Sequence, residues 1–434
     1  MKTKLLKIIP LFLALTLSAK NTYTVDDLIL KAMENSPELK IYASQYSASK
    51  ERINIADANY LPIINLSVDA GAFGQSDILH QKPDNMVDST GVKGSISAKQ
   101  LIYDFGKTGG NYDYYKYDSK SYNMSNKQEI SNKIKDVKIA YYEVLHAIAL
   151  IDVNKENIKL NKSQLYRSQK YFDAGIRTKI DVSDAKVQLI KAQLNLKKSE
   201  YNLQIAYANL DRVIGFTNVN RDYDVYTERL DMQDLFSSLN NYELSLSDSI
   251  YYGYDNRYEI KKYMAKQKSS LAKITQANAA YYPSVFLAGN YTKYEVEDDD
   301  FKQNIPENQW AATVNLQWNL YEGGATIASE QENKIKLNIS NSELLVSKLK
   351  IKQEITEAFI NVNKSKDSVK LSQSLLIVSS EKFDQASKRY ENGLSDYIEL
   401  QQARQGYIDA KASLVLDYYK YYSDIAVLDN AIGK

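Results

Sequence analysis

The chain repeats itself once, and that doubling constrains its fold more than any motif does. Asp27-Leu-Ile-Leu-Lys-Ala-Met-Glu-Asn35 recurs as Asp248-Ser-Ile-Tyr-Tyr-Gly-Tyr-Asp-Asn256, about 220 residues later. Three further landmarks follow in the same order. Tyr60-Leu-Pro62 recurs around Tyr281-Tyr-Pro283, and Tyr103-Asp-Phe-Gly106 recurs as Tyr321-Glu-Gly-Gly324. Gly175 followed by Ile180-Asp-Val-Ser-Asp-Ala185 recurs as Gly393 followed by Ile398-Glu-Leu-Gln-Gln-Ala403. The expected organisation is a leader over 1–19, a first repeat over 20–221 and a second over 222–434.

Each repeat alternates long helical stretches with a pair of strands, expected near 62–104 and 283–321. After Pro62, Ile64, Leu66, Val68, Ala70 and Ala72 alternate with Asn65, Ser67 and Asp69. Val314, Leu316, Trp318 and Leu320 alternate likewise with Thr313, Asn315, Gln317 and Asn319. A period of two sends these sets to opposite faces of a strand. Val92 to Ile102 and Val285 to Tyr291 mark weaker partners. Strands of about 9 to 12 residues are expected, long enough to cross a membrane at a tilt. The connecting segments, Gln75 to Ser89 and Glu295 to Asn308, read as solvated polar loops.

The rest is helical. Lys107 to Ala174 and Ala325 to Asn392 contain no proline. At 1.5 Å per residue, about 68 residues give roughly 100 Å of helix, a length suited to a coiled coil rather than a globular core. Gly175 and Gly393 end these helices, and shorter ones return over Lys179 to Val213 and Asp396 to Asn430. Helices over Val25 to Asn59 and Leu246 to Ala280 complete the two units.

The chemistry of the composition is mainly exclusion. The 55 basic and 54 acidic residues cancel, so nothing electrostatic points to nucleic acid. Without cysteine there is no thiol nucleophile, disulfide or thiolate metal site. The two histidines, His80 and His146, have no neighbours that would form a metal pair, and His146 reads as a packing or surface residue. Gly106-Lys107-Thr108 lacks the earlier glycine of a phosphate loop, since Leu101 stands there, and no catalytic constellation or cofactor site appears. Lys2, Lys4 and Lys7, the apolar run Ile8 to Leu17, and Ser18-Ala19 have the form of a secretory signal. No later run is apolar enough for a membrane helix.

An exported chain with four membrane strands cannot leave their edges unpaired in hydrocarbon. Several copies must therefore share one barrel; three are preferred, and two or four also satisfy the geometry. A periplasmic coiled-coil adaptor, or a surface adhesin or fibre, would share the helices but not two amphipathic strand pairs at equivalent positions.

In its doubled helix, Tyr-Pro, strand order, its strand exits Leu101 to Gly106 and Leu320 to Gly324, and its Gly-turn helices Ala174 to Ala185 and Asn392 to Ala403, the chain resembles the TolC-like outer-membrane efflux proteins. The resemblance covers about Tyr23 to Leu428. It implies a mainly α fold with a membrane β-barrel: four strands per chain in a homotrimeric twelve-strand barrel, continued by a periplasmic tunnel of antiparallel coiled-coil helices. It implies an exit duct of tripartite efflux or type I secretion in the outer membrane, docked to a periplasmic adaptor and an inner-membrane transporter. It also places a pore constriction at Glu399, with Gln402 where the family has a second acid, and at Asp181 and Asp184 of the first repeat. Around the turn glycines Gly175 and Gly393 it implies an entrance latch among Arg177, Tyr390 and Asp396, with Asp181 contributing. Ser395 stands where the family carries a basic partner.

Overall fold

In the computed structural model the described residues are 21–77, 82–227, 232, 235–239, 242–297, 299–304 and 306–434. The expected leader over 1–19 lies outside them. In chain order the elements begin with β1 (Asn21–Tyr23), α1 (Val25–Asn35) and α2 (Pro37–Asp57). Then come β2 (Ile63–Asp77), β3 (Lys82–Tyr103), α3 (Lys107–Asp173) and α4 (Lys179–Ile214). A short β4 (Tyr223–Val225) leads to α5 (Leu246–Asn256) and α6 (Tyr258–Asn278). The chain ends with β5 (Ser284–Val296), α7 (Asp299–Asn304), β6 (Asn308–Gln317), α8 (Ala325–Glu391) and α9 (Tyr397–Ile432). α3 and α8 are each 67 residues long, and α4 and α9 each 36. α8 begins 218 residues after α3, at Ala325 against Lys107.

The acid that opens each repeat has a local task. Asp27 accepts from the Thr24 N–H at 2.9 Å while its own N–H donates to Thr24 Oγ1 at 3.3 Å, a reciprocal cap on α1. Asp248 N–H donates to Ser245 Oγ at 3.1 Å at the start of α5.

Two compact units are formed, and both draw on both sequence halves. One contains the segment ending at Pro37 with 132–243 and 358–429; the other contains 38–131, 244–357 and 430–434. The first has a core of Leu28, Val144, Leu210, Ile214, Tyr223 and Val415, where α1, α3, α4, β4 and α9 meet. β1 and β4 pair in parallel at its edge. The second holds an antiparallel four-stranded sheet in the order β2-β3-β5-β6.

Four expectations need correction. The stretches Val25 to Asn59 and Leu246 to Ala280 are not single helices; each is broken in the same place. Proline excludes the helical conformation at the residue before it, so Ser36 takes ψ 118° ahead of Pro37. Arg257 takes ψ 124° with no proline to force it. There the buried guanidinium holds the kink, donating to the Ala431 carbonyl at 3.0 Å and meeting Glu354 at 2.7 Å and Glu259 at 3.2 Å. Each kink is also met by a glycine: Gly215 (φ +73°) has its α-carbon against Asn35 and Ser36, and Gly433 (φ +83°) against Asn256 and Arg257. Second, three strands exceed the expected length, with 15 residues in β2, 22 in β3 and 13 in β5, while β6 keeps to it with 10. Third, most of Gln75 to Ser89 is strand rather than loop, because cross-strand pairing continues past Gly74. Fourth, the alternation at Trp318 and Leu320 lies beyond β6, which ends at Gln317. Trp318 instead donates its indole N–H to the Tyr281 carbonyl at 3.2 Å.

Candidate functional site

Two regions carry the functional geometry, each within one compact unit. The first is the pair of turns that reverse the long helices. Gly175 (φ +70°) ends α3, with the Ile176 N–H bonded to the Tyr171 carbonyl at 2.9 Å. Gly393 (φ +73°) ends α8 in the same way, with Leu394 N–H on the Arg389 carbonyl at 2.8 Å. This six-residue closure needs a left-handed residue, and glycine takes that conformation without steric cost.

The returning helices are capped by acids expected at the entrance. Asp181 accepts from the Thr178 N–H at 3.3 Å, and Asp396 Oδ1 accepts from the Glu399 N–H at 2.8 Å. Within one chain these carboxylates therefore serve their own helices. Arg177 bridges the two turns: its guanidinium lies 5.2 Å from the centre of the Tyr390 ring and donates to the Ser395 carbonyl at 3.2 Å. Tyr390 is buried, packed against Tyr171 and Tyr397 in a small core with Ala185, Leu400 and Ala403. Burial pushes the Tyr397 phenol up, opposed by the buried Arg404.

Glu399 is half-buried, while Gln402, one turn on, and Asp184 are exposed. Glu399 has a partner that sequence reasoning missed: Arg389 Nε lies 3.6 Å from Glu399 Oε1. A further ion pair, Arg167 with Glu391, links α3 of one hairpin to α8 of the other. The signal for Arg389 lay in its position, four residues before the turn glycine and so beside the start of the returning helix.

The second region is the sheet. Its register places Leu66, Ile96, Tyr291 and Trp310 in one row across all four strands. The neighbouring row is Ser67, Ser95, Thr292 and Gln309. Successive residues point to opposite faces, so the first row and its neighbours Ile64, Leu287 and Val314 make one apolar face. The other face is mostly polar and is joined across β2 and β3 by a 2.7 Å Ser67–Ser95 hydroxyl contact. Leu66 is 76% and Trp310 78% exposed, so in a single chain the apolar face is uncovered. An uncovered face of this kind marks a contact with lipid or another protein. Both edge strands, β2 and β6, have an unpaired side.

Where strands meet helices, aromatic rings cluster. Phe105 stacks on Tyr282 with ring centres 4.9 Å apart and packs edge-on to Tyr103 at 4.7 Å. Phe105 holds φ +54°, the only non-glycine positive value among the described residues. Among those residues, no helix is long and apolar enough to cross a membrane.

Comparison with known proteins points the same way. The chain matches the family described as outer membrane efflux protein over residues 28–216 and 254–434. It is 22% identical to the outer membrane protein TolC of Vibrio cholerae over 439 residues, covering 98% of this chain and 95% of that one. It is 20% identical to TolC of Salmonella enteritidis over 443 residues, covering 98% of this chain and 86% of that one. Its fold is similar to that of the Campylobacter jejuni CmeC outer membrane channel, with a TM-score of 0.79 at 16% identity over 94% of this chain and 85% of that one.

Proposed function

The chain belongs to the outer membrane efflux protein family, and on that premise we propose that three copies close into one twelve-strand barrel, continued into the periplasm by the helical hairpins as a tunnel. The chain is an outer-membrane exit duct and not an enzyme. It conducts passively what an inner-membrane transporter delivers, and a periplasmic adaptor joins the two. Drug efflux and type I secretion are both served by a duct of this kind.

The observation that carries the barrel is the two-faced sheet with two open edges. Backbone groups left unpaired in hydrocarbon cost several kcal/mol each, so the β6 edge of one copy pairs with the β2 edge of the next until the ring closes. The apolar row through Leu66 and Trp310 then faces lipid, and the row through Ser67 and Thr292 faces the bore. The aromatic rings at Tyr103, Phe105 and Tyr282 sit at the interface belt such a barrel requires. The two sequence repeats, 20–221 and 222–434, supply the six quasi-equivalent hairpins of the ring.

At the Gly175 and Gly393 turns, Glu399 lines the constriction, with Gln402, Asp181 and Asp184 beside it. Arg177, Tyr390, Ser395 and Asp396 form the latch, and Gly175 and Gly393 shape the turns that carry it. The Arg177 contacts to Tyr390 and Ser395 support this reading, since they tie the two hairpins of one chain together.

The test is a paired substitution in adjacent residues. Leu66→Lys buries a cation on the lipid face, at a cost of about 2–4 kcal/mol near the bilayer centre, and the heat-modifiable oligomer is lost from outer-membrane fractions. Ser67→Lys on the bore face assembles and conducts in planar bilayers. Equal tolerance of both lysines would refute the barrel.

A further inference from the structure

We propose that the β5–β6 loop folds into the bore and that its helix α7 forms a second constriction, at the end of the sheet remote from the helix junctions. The inference rests on the barrel reading above and goes beyond it. A hairpin loop in solvent would stand above its own strands. Instead α7, although it connects β5 to β6, packs on β3 and β2. It reaches β2 across β3, so it lies over the sheet rather than beyond its end.

Burial identifies the face it covers. On the bore face near this end, Ser89, Thr292 and Val296 are buried, at 6%, 8% and 8% exposure. Their immediate neighbours on the lipid face, Asp88, Thr90, Lys293 and Glu295, are exposed. Residues one apart on a strand differ in this way only if one face is covered. The cover is α7, whose Phe301 is 1% exposed. Beneath it, Phe73 and Tyr294 meet edge-on at 6.2 Å, an aromatic floor on a face that is mostly polar along its middle rows. The acidic loop expected to be solvated thus contains an apolar anchor, Phe301, and the anchor is turned inward. Its charges Glu297, Asp299 and Lys302 remain exposed. Three such helices around the ring narrow the mouth sterically and admit small solutes more readily than bulky ones.

Because the chain has no native cysteine, a single introduced thiol reports on access unambiguously. Asn290→Cys places it on the bore face, between α7 and the helix junctions, and Val314→Cys places it on the lipid face. Intact cells carrying each variant are treated with a membrane-impermeant maleimide, either small or attached to a long polyethylene glycol chain. With the loop intact, the small reagent labels Cys at position 290 and the polymer reagent scarcely does. Phe301→Ser removes the anchor, raises the open population and increases polymer labelling by about tenfold or more. If Phe301→Ser yields no heat-modifiable oligomer, replacement of Asp299–Asn304 by a Gly-Ser linker is used, with the same expectation. Polymer labelling at position 290 that is unchanged by removing the anchor or the helix overturns the second constriction. Labelling of position 314 as fast as position 290 overturns the barrel reading instead, so the two failures are distinct.

Discussion

The Arg389 guanidinium reaches back across the Gly393 turn to within 3.6 Å of the Glu399 carboxylate. The charge assigned to the constriction therefore comes with its own counter-charge on the same hairpin. Glu399→Ala is expected to lower cation preference in planar bilayers, and Arg389→Ala, by freeing the carboxylate, to raise it. Both groups are partly exposed, so either change alters stability by no more than about 1 kcal/mol. Reversal potentials across a salt gradient check this, and no shift in Arg389→Ala would remove Glu399 from the pore.

Phe105 occupies a left-handed backbone position that costs a side-chain-bearing residue about 1–2 kcal/mol. Its stacking on Tyr282 returns a comparable amount, about 0.5–1.5 kcal/mol. Phe105→Ala should lose the stack and keep the strain, while Phe105→Gly loses both. The glycine variant is thus expected to be the more stable by about 1 kcal/mol, read as the temperature at which the oligomer dissociates on a gel. The second repeat uses the glycine solution already, with Gly323 (φ +62°) standing 218 residues after Phe105.

Not all turn glycines are equally constrained. A methyl on Gly175 would meet nothing within 4 Å, so Gly175→Ala costs only the backbone strain, about 1 kcal/mol. At Gly215 the methyl would stand 2.9 Å from the Asn35 carbonyl oxygen and 3.1 Å from the Ser36 nitrogen. Gly215→Ala must displace the kink between α1 and α2 and is expected to lower the melting temperature further than Gly175→Ala. Equal losses would mean that the kink yields freely.

His146 lies half-buried in a groove with Glu143 and Asn209, and burial holds its imidazole below the ordinary histidine range, with Glu143 opposing. The unfolded chain then takes up this proton first as the pH falls. Stability is full above the unfolded value near 6.5 and is lost as pH drops from there through the lower folded value. Comparing denaturation of the wild type and His146→Gln at pH 7.5 and 5.5 checks this. A pH dependence between those values identical in both would show that this ring does not titrate on unfolding.

The long helices were legible almost to the residue, because their limits are chemical. α3 and α8 contain no proline and stop one residue short of the ends expected from Gly175 and Gly393. The strand faces were equally readable, since alternation at Ile64, Leu66 and Val68 needs only local geometry. What escaped was tertiary. The break at Arg257 depends on Glu354 and Ala431, far along the chain, whereas its counterpart announces itself through Pro37. The burial of Phe301 was hidden by the acids around it, which dominate any local reading of polarity. At the turns, Gly175, Gly393 and the neighbouring acids were visible, but the pairing of Arg389 with Glu399 requires knowing how closely the hairpin folds back.

The sheet order has a consequence for biogenesis. β2 and β6 differ in sequence and in length, 15 residues against 10, so in the proposed ring the two edges meet as unlike partners, β6 of one copy on β2 of the next. A pair of copies would still present one raw edge at each end, no fewer than a single copy does. Each junction removes two edges, so partial assembly lowers the penalty per copy, and only the closing junction of the proposed ring abolishes it. In the proposed ring, insertion before closure therefore leaves two edges exposed to hydrocarbon however many copies have joined.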